Sequence, residues 1–228
     1  MKKVVVFTGA GVSAESGIKT FRDSNGLWEE HRIEDVATPE AWQRNPELVQ
    51  SFYNDRRKQL LEVEPNQAHY SIANLTNYFS TKVITQNVDD LHERAGSKNV
   101  LHLHGELRKS RSTVNPSLVY DIPGWELGMG DTCAMGSQLR PHIVWFGEAV
   151  PLMEHAIMQA QDADIFIVIG SSLEVYPAAS LIEFAPENCV KYFIDPNARK
   201  LGHIQNLHVI KGTAASEVPK LVEHLIAR

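Results

Sequence analysis

Short apolar runs alternating with helical patterns, one tract that is apolar throughout, and a glycine-rich turn directly after the first run predict a doubly wound α/β fold on a parallel sheet. The runs lie at residues 4–7, 82–85, 101–103, 143–146, 165–170, 190–195 and 208–211. Each is short, rich in Val, Ile and Phe, and bounded by turn residues or helical patterns. The tract after Asp164 has no polar residue up to Gly170, as expected of a strand covered on both faces. Helical patterns separate the runs, for example at residues 154–161 and 216–226.

The first run enters Gly9-Ala10-Gly11-Val12-Ser13-Ala14. Glycines let the backbone turn tightly and approach a pyrophosphate, whose charge a following helix N-terminus favours. The ordinary dinucleotide fingerprint continues with a helix, a second strand and an acidic residue about 20 positions on. Here the chain continues Glu15-Ser16-Gly17-Ile18-Lys19-Thr20-Phe21-Arg22-Asp23, a polar loop. That replacement disfavours a routine hydride-transfer dehydrogenase.

Residues 27–69 then interrupt the alternation. Thr38-Pro39-Glu40 predicts a helix start, with Thr38 as N-cap and Pro39 at the first helical position. A second interruption, residues 107–139, is rich in Ser, Gly, Asp and Pro and lacks periodicity. Both are assigned to a small lobe of about residues 27–69 and 107–139, inserted in a large lobe of about 1–26, 70–106 and 140–228. No internal repeat or low-complexity tract is present.

The 228 residues carry a formal net charge of −6 and no block of Lys or Arg, which argues against phosphate-driven binding to nucleic acid. Two cysteines, Cys133 and Cys189, make neither a disulfide framework nor a zinc ligand set. The N-terminal apolar run is too short for a signal-peptide core, and no stretch approaches the ~18 apolar residues of a membrane span. A cytoplasmic protein without membrane partners is expected, its oligomeric state open.

Several segments resemble the motifs of the sirtuin family. Gly9-Ala10-Gly11-Val12-Ser13, Ser16-Gly17-Ile18 and Phe21-Arg22 resemble the opening motif. Thr85-Gln86-Asn87-Val88-Asp89, with Leu91-His92 and Ala95-Gly96, is similar to the second, and Leu103-His104-Gly105 to the catalytic histidine motif. Leu139-Arg140-Pro141 and Val144-Trp145-Phe146-Gly147-Glu148 resemble the substrate-binding segment. Gly170-Ser171-Ser172 and Gly212-Thr213-Ala214 stand where the family holds adenosine. These matches follow the family's order along nearly the whole chain.

The resemblance implies a Rossmann-type large lobe, NAD as co-substrate in the cleft between lobes, and acyl-lysine peptide entering opposite as an added strand. It implies removal of acyl groups from lysine, giving nicotinamide, free lysine and O-acyl-ADP-ribose. His104 is then the expected base, since an imidazole titrates near neutral pH. Among ten histidines it is singled out by the motif; His102, on the same side of an extended strand, differs only in lacking the following glycine. Asn87 and Asp89 are expected to orient the nicotinamide ribose and carboxamide, with Asn87 also catalytic. Gly9, Ala10, Gly11, Ser13, Ala14, Phe21, Arg22, Gln86, Gly170, Ser171, Ser172 and Ala214 complete the implied NAD set. Phe146, Gly147 and Glu148 would line the peptide cleft.

Tyr53 and Arg56 are three apart and share a helix face. Tyr-x-x-Arg at this place resembles class III sirtuins, as does Ala37-Thr38-Pro39-Glu40-Ala41-Trp42 upstream. Arginine offers a planar fork that matches a carboxylate, and the phenol adds a hydrogen bond. Succinyl, malonyl or glutaryl lysine is therefore expected in preference to acetyl lysine.

Two places depart from the family pattern. Where it has two Cys-x-x-Cys pairs for zinc, this chain has Ser112-Thr113-Val114-Asn115 and, around Cys133, Thr132-Cys133-Ala134-Met135-Gly136. One thiolate cannot hold tetrahedral zinc, so no zinc is expected, and Val119, Tyr120, Ile122, Trp125 and Leu127 should pack the lobe instead. Asp195-Pro196-Asn197 stands where the family commonly has Asn at the strand end, so either Asp195 or Asn197 would meet the adenosine ribose. A mono-ADP-ribosyltransferase using the same NAD site, or a non-catalytic NAD or ADP-ribose sensor, is the alternative. The first has no use for Tyr53 with Arg56, and the second none for His104.

Overall fold

The computed structural model describes residues 1–19, 27–28 and 31–227. A six-stranded parallel sheet runs Leu207–Ile210, Val190–Ile194, Ile165–Ile169, Lys3–Thr8, Ser80–Thr85, Val100–His102 from edge to edge. The chain builds the sheet outward from Lys3–Thr8, first to one side and then to the other. The order reverses between Lys3–Thr8 and Ile165–Ile169, which makes the carboxyl ends of those two strands a topological switch point. The uninterrupted apolar tract is explained by position: all of Ile165–Ile169 is buried.

Alternate strand residues face two separate cores. Val4, Val6, Ile167 and Ile194 pack with Ile72, Val218, Leu221 and Leu225 of helices Gln67–Asn74 and Ala214–Ile226. Val5, Phe7, Phe166 and Phe193 pack on the other face with Ala156, Ala160 and Leu181 of helices Met153–Gln161 and Leu181–Phe184. A period of two along each strand thus becomes a sheet covered on both sides.

The run at residues 143–146 does not add a parallel strand. Leu139–Ile143 instead pairs antiparallel with Gly105–Ser112, which also pairs with Val119–Asp121 in a three-stranded sheet. The run at 101–103 is shifted by one residue, to Val100–His102. Leu103 still donates its N–H to Thr85 O before the chain leaves the parallel sheet. A short apolar run specifies burial and not the partner strand, so periodicity could not separate the two sheets.

Helix Pro46–Glu62 packs against strands Gly105–Ser112 and Leu139–Ile143 of the three-stranded sheet. Asn45 caps it, accepting from Leu48 N at 3.1 Å, and Pro46 occupies the first turn. Thr38 caps Pro39–Arg44 as expected, accepting from Ala41 N at 3.0 Å. Arg57, fully buried, donates to Trp125 O at 2.7 Å and Leu107 O at 3.3 Å, and also to Asn54 Oδ1. Asn54 in turn exchanges hydrogen bonds with the Leu127 backbone. Polar side chains, not apolar ones alone, therefore dock this helix on the 125–127 segment.

The tip of the three-stranded sheet has its own small core of Ile122, Leu127, Cys133 and Leu139, with Leu118 and Tyr120 against it. Val119 and Trp125, expected in that core, are 38% and 39% exposed. Both lie on the outer side of the strand and turn, and Trp125 instead meets Lys58 Nζ, 5.7 Å from its ring. No helix among the described residues is long and apolar enough to cross a membrane.

Candidate active site

A cleft of about 800 Å³ opens over the switch point. It lies within the range of small-molecule and cofactor sites. Three chain segments form its floor: the turn after Lys3–Thr8, the loop after Ser80–Thr85, and the turn after Ile165–Ile169. All three follow carboxyl ends of parallel strands, where ligands bind in open α/β sheets.

Gly9, Ala10, Gly11, Ser13 and Ala14 line the cleft. The segment forms two 3-10 turns, Ala10–Val12 and Ala14–Ser16, in place of an α-helix with an N-terminus aimed at an anion. The glycines are required by a neighbouring backbone. A Cβ on Gly11 would stand 2.6 Å from Gly170 Cα, and one on Gly170 2.3 Å from Val12 N. Gly170, with φ +61°, and Gly11 thus press two turns together, sealed by Gly11 N–H to Gly170 O at 2.8 Å. Ser171 and Ser172 follow into the cleft, and Ser171 Oγ donates to Gln86 Oε1 at 3.1 Å. Phe21 and Arg22 lie outside the described residues.

Gln86, Asn87 and Asp89 also line the cleft. Asn87 Nδ2 donates to Ser13 Oγ at 3.1 Å, and Ser13 Oγ donates to Asp89 Oδ2 at 3.0 Å. Asp89 Oδ1 accepts from Leu91 N–H at 3.2 Å. His69 approaches Ser13 Oγ with Nε2 at 3.4 Å while its Nδ1 accepts from Asn66 N–H, so the neutral ring keeps its proton on Nε2. Burial pushes the His69 pKa down to about 4, which keeps it neutral. Burial raises the Asp89 pKa against the opposing bonds from Leu91 and Ser13. The group therefore holds two short polar side chains rigidly in a dry wall of the cleft.

His104 sits at the joint of the two sheets, between Val100–His102 and Gly105–Ser112. Gly105, with φ +86°, is demanded there: a Cβ would fall 2.0 Å from His142 O. His104 Nδ1 lies 3.0 Å from Gln86 O. A carbonyl only accepts, so Nδ1 carries the proton and Nε2 the lone pair. Burial lowers the His104 pKa, outweighing the Gln86 carbonyl that raises it.

Tyr53, Arg56, Phe146, Gly147 and Glu148 also line the cleft. Tyr53 is fully buried and its pKa is raised by desolvation, so the phenol is neutral and keeps its proton. Arg56 stacks over the Phe52 ring at 5.6 Å. Phe146 is 45% exposed and its N–H donates to Ala37 O, tying the wall to the segment before helix Pro39–Arg44. The Glu148 carboxylate is turned to Arg140 (2.9 and 3.1 Å), Arg111 (3.1 and 3.2 Å) and Trp145 N–H (2.8 Å). Sequence reasoning did not single out the buried Trp145 or the Arg140–Glu148 pair. The signal was present in the contiguous Arg140 to Glu148 segment, but only contact shows which of its residues meet.

Asp195, Asn197 and Ala214 line the far end. Asn197 N–H donates to Asp195 Oδ1 at 2.8 Å, a short turn that orients the carboxylate. A smaller cavity of about 490 Å³ shares Ser171, Asp195 and Asn197 with the cleft and extends toward Arg199 and His203.

Where the family pattern has its cysteine pairs, Ser112 Oγ lies 2.9 Å from the nearby Ser137 Oγ, which lies 3.1 Å from Cys133 Sγ. Ser112 Oγ also accepts from Val114 N–H and Asn115 N–H. Two hydroxyls and one thiol do not fit tetrahedral zinc. Among the described residues no group of three or more His, Cys, Asp or Glu is placed to hold a metal ion.

A family model described as the Sir2 family matches residues 9–177. An NAD-dependent protein deacylase of Helicobacter pylori (strain ATCC 700392 / 26695) is 53% identical over 228 residues, covering 99% of this chain and 98% of the relative. An NAD-dependent protein deacylase of Bacteroides thetaiotaomicron is 52% identical over 231 residues, covering 99% of both chains. Among solved structures, a Sir2 homolog–NAD complex superposes with a TM-score of 0.89 at 40% identity, covering 98% of this chain and 89% of that one.

Proposed function

The chain belongs to the Sir2 family and is an NAD-dependent protein deacylase, and we propose that it acts by preference on lysines carrying acidic acyl groups: succinyl, malonyl or glutaryl. What supports the preference is that Tyr53 and Arg56, three apart on helix Pro46–Glu62, both line the cleft that His104 also lines. A guanidinium and a neutral phenol suit a carboxylate and leave nothing for an acetyl methyl to match. An acetyl group offers neither the charge nor the acceptor oxygens that this pair is suited to bind.

The chain's residues fit NAD. The segments 9–14, 86–89 and 170–172, with Asp195, Asn197 and Ala214, would hold it. Bound there, NAD supplies an electrophilic ribose carbon and a leaving group. Asn87 and Asp89, held by Ser13, orient the ribose and carboxamide. Nε2 of His104 takes the proton from a ribose hydroxyl, its tautomer set by the Gln86 carbonyl. Phe146, 45% exposed in the cleft lining, would pack against the acyl-lysine. The Ser112–Ser137–Cys133 hydrogen bonds and the core beneath them support the reading that the small antiparallel sheet needs no zinc.

An acyl-lysine peptide panel assayed with NAD tests the preference, with Arg56→Met beside the parent. The variant should raise KM for the succinyl peptide about tenfold more than for the acetyl peptide, the worth of one charged hydrogen-bonded contact. Equal effects on both, or a parent that favours acetyl, refute the clamp. ADP-ribose transferred to protein, without acyl loss, would favour the transferase reading.

A further inference from the structure

Tyr53 reaches its place in the cleft wall with its oxygen already committed on one side. The indole Nε1–H of Trp145 donates to Tyr53 Oη at 3.1 Å, and both side chains are buried, 2% and 0% exposed. An indole N–H only donates, so it occupies an acceptor position of the phenol and leaves the phenol's own proton to be donated elsewhere. Without that neighbour the hydroxyl could rotate away from the direction in which a substrate carboxylate accepts. The indole is itself held fast. The Arg140 guanidinium lies 3.2 Å from the centre of its ring, and Trp42 packs on it at 5.9 Å. Glu148 fixes both Arg140 and the Trp145 backbone N–H.

We propose that Trp145 is a specificity-determining positioning residue, which sets the Tyr53 hydroxyl as a donor toward the carboxylate of an acidic acyl group. The proposal rests on the acidic-acyl reading above. Glu148, Arg140, Trp145 and Tyr53 then form one chain of contacts. It carries the orientation from the peptide-facing segment at 145–148 to the helix Pro46–Glu62. Arg56 supplies the charge and Tyr53 the directed proton. The indole itself need not touch the substrate.

Trp145→Phe keeps an aromatic ring beneath Arg140 and removes the N–H. With NAD saturating, the ratio of kcat/KM for succinyl over acetyl peptide should fall about fivefold to tenfold, the worth of one well-placed hydrogen bond. The fall should lie in KM for the succinyl peptide and not in kcat. Tyr53→Phe should lower the same ratio, and the double variant should add nothing further, because both act through one hydroxyl. In the parent, the assigned Trp145 indole N–H resonance should move upfield on Tyr53→Phe, a readout that does not depend on Trp145→Phe folding. A ratio unchanged by Trp145→Phe, additive losses in the double variant, or an unmoved resonance overturns the proposal. If Arg56→Met is selective for succinyl while Trp145→Phe is not, the positioning role alone fails. If neither is selective, the acidic-acyl reading fails with it.

Discussion

Replacing Glu148 with Gln should destabilise the protein by about 3 kcal/mol, since it breaks a largely buried charge cluster. The Arg140 and Arg111 side chains are 11% and 13% exposed, and the Glu148 carboxylate at 21% lies between them. Glutamine keeps the length and an acceptor for Trp145 N–H. It removes the negative charge and leaves two guanidinium groups facing an amide. Breaking a buried pair typically costs about 3–5 kcal/mol, and the retained Trp145 contact puts this case at the low end. For a chain of this size each kcal/mol lowers Tm by about 2–4 °C, so the fall should be roughly 6–12 °C. Calorimetry at neutral pH measures it. The pH dependence supplies a second check. Burial alone would raise the Glu148 pKa, but Arg140, the Trp145 N–H and Arg111 outweigh it and hold the carboxyl below the usual carboxylate range. A depressed folded-state pKa contributes stability that is present above the unfolded value and lost as pH falls through the folded one. The gap in Tm between parent and variant should therefore shrink as pH is lowered below about 4.3. A loss below about 1 kcal/mol, within the range of exposed pairs, or a gap that stays constant with pH, would refute the reasoning.

His104→Tyr should abolish turnover while the circular dichroism spectrum is retained; residual activity would move the base elsewhere. Since burial lowers the His104 pKa, the imidazole is a neutral base at pH 7, and the acid limb of kcat/KM should have its midpoint below 6.5. A midpoint at or above that value contradicts the assignment. Gly170→Ala drives a Cβ to 2.3 Å from Val12 N, between two backbones that cannot yield. It should cost at least about 3 kcal/mol, the upper end of overpacking, and lower NAD affinity measured by titration calorimetry. Purified protein should contain no stoichiometric zinc, and chelator should leave Tm unchanged; one bound equivalent would overturn that expectation.

The sheet was legible because its strands announce themselves locally: Val4 to Phe7 and Ile165 to Ile169 are buried on both faces and read as unbroken apolar runs. The cleft was legible because each segment follows a strand end with Gly, Asn, Asp or Ser. Less visible was whatever depends on which runs meet. Ile143 is apolar and buried, but its partner is Gly105, across an antiparallel sheet. Arg57 looks like any charged residue on a helix until three carbonyl-type acceptors surround it. The glycine turn was read as shaped for a ligand's phosphates, yet Gly11 and Gly170 are demanded first by each other. A single sequence records that a small residue is needed, not which neighbour needs it.

His102 and His104 show how proton placement separates two residues that sequence left nearly equivalent. Each turns Nδ1 to a carbonyl of the same loop, His102 to Asn87 O and His104 to Gln86 O, both at 3.0 Å. The difference lies at the other nitrogen. His102 Nε2 meets Glu93 Oε1 at 2.8 Å, so both of its nitrogens face acceptors and both must carry protons to satisfy them. Burial alone would lower the His102 pKa, but Glu93 outweighs it and the pKa is raised. The result is an 8% exposed strut with both ring nitrogens engaged. Among the described residues His104 has no such carboxylate at Nε2; it lines the cleft and is shifted the opposite way. A base must hold a lone pair at neutral pH and turn it toward the substrate. Of the two, His104, which lines the cleft, is the one proposed as the base, and His102 holds the Asn87 backbone beside it.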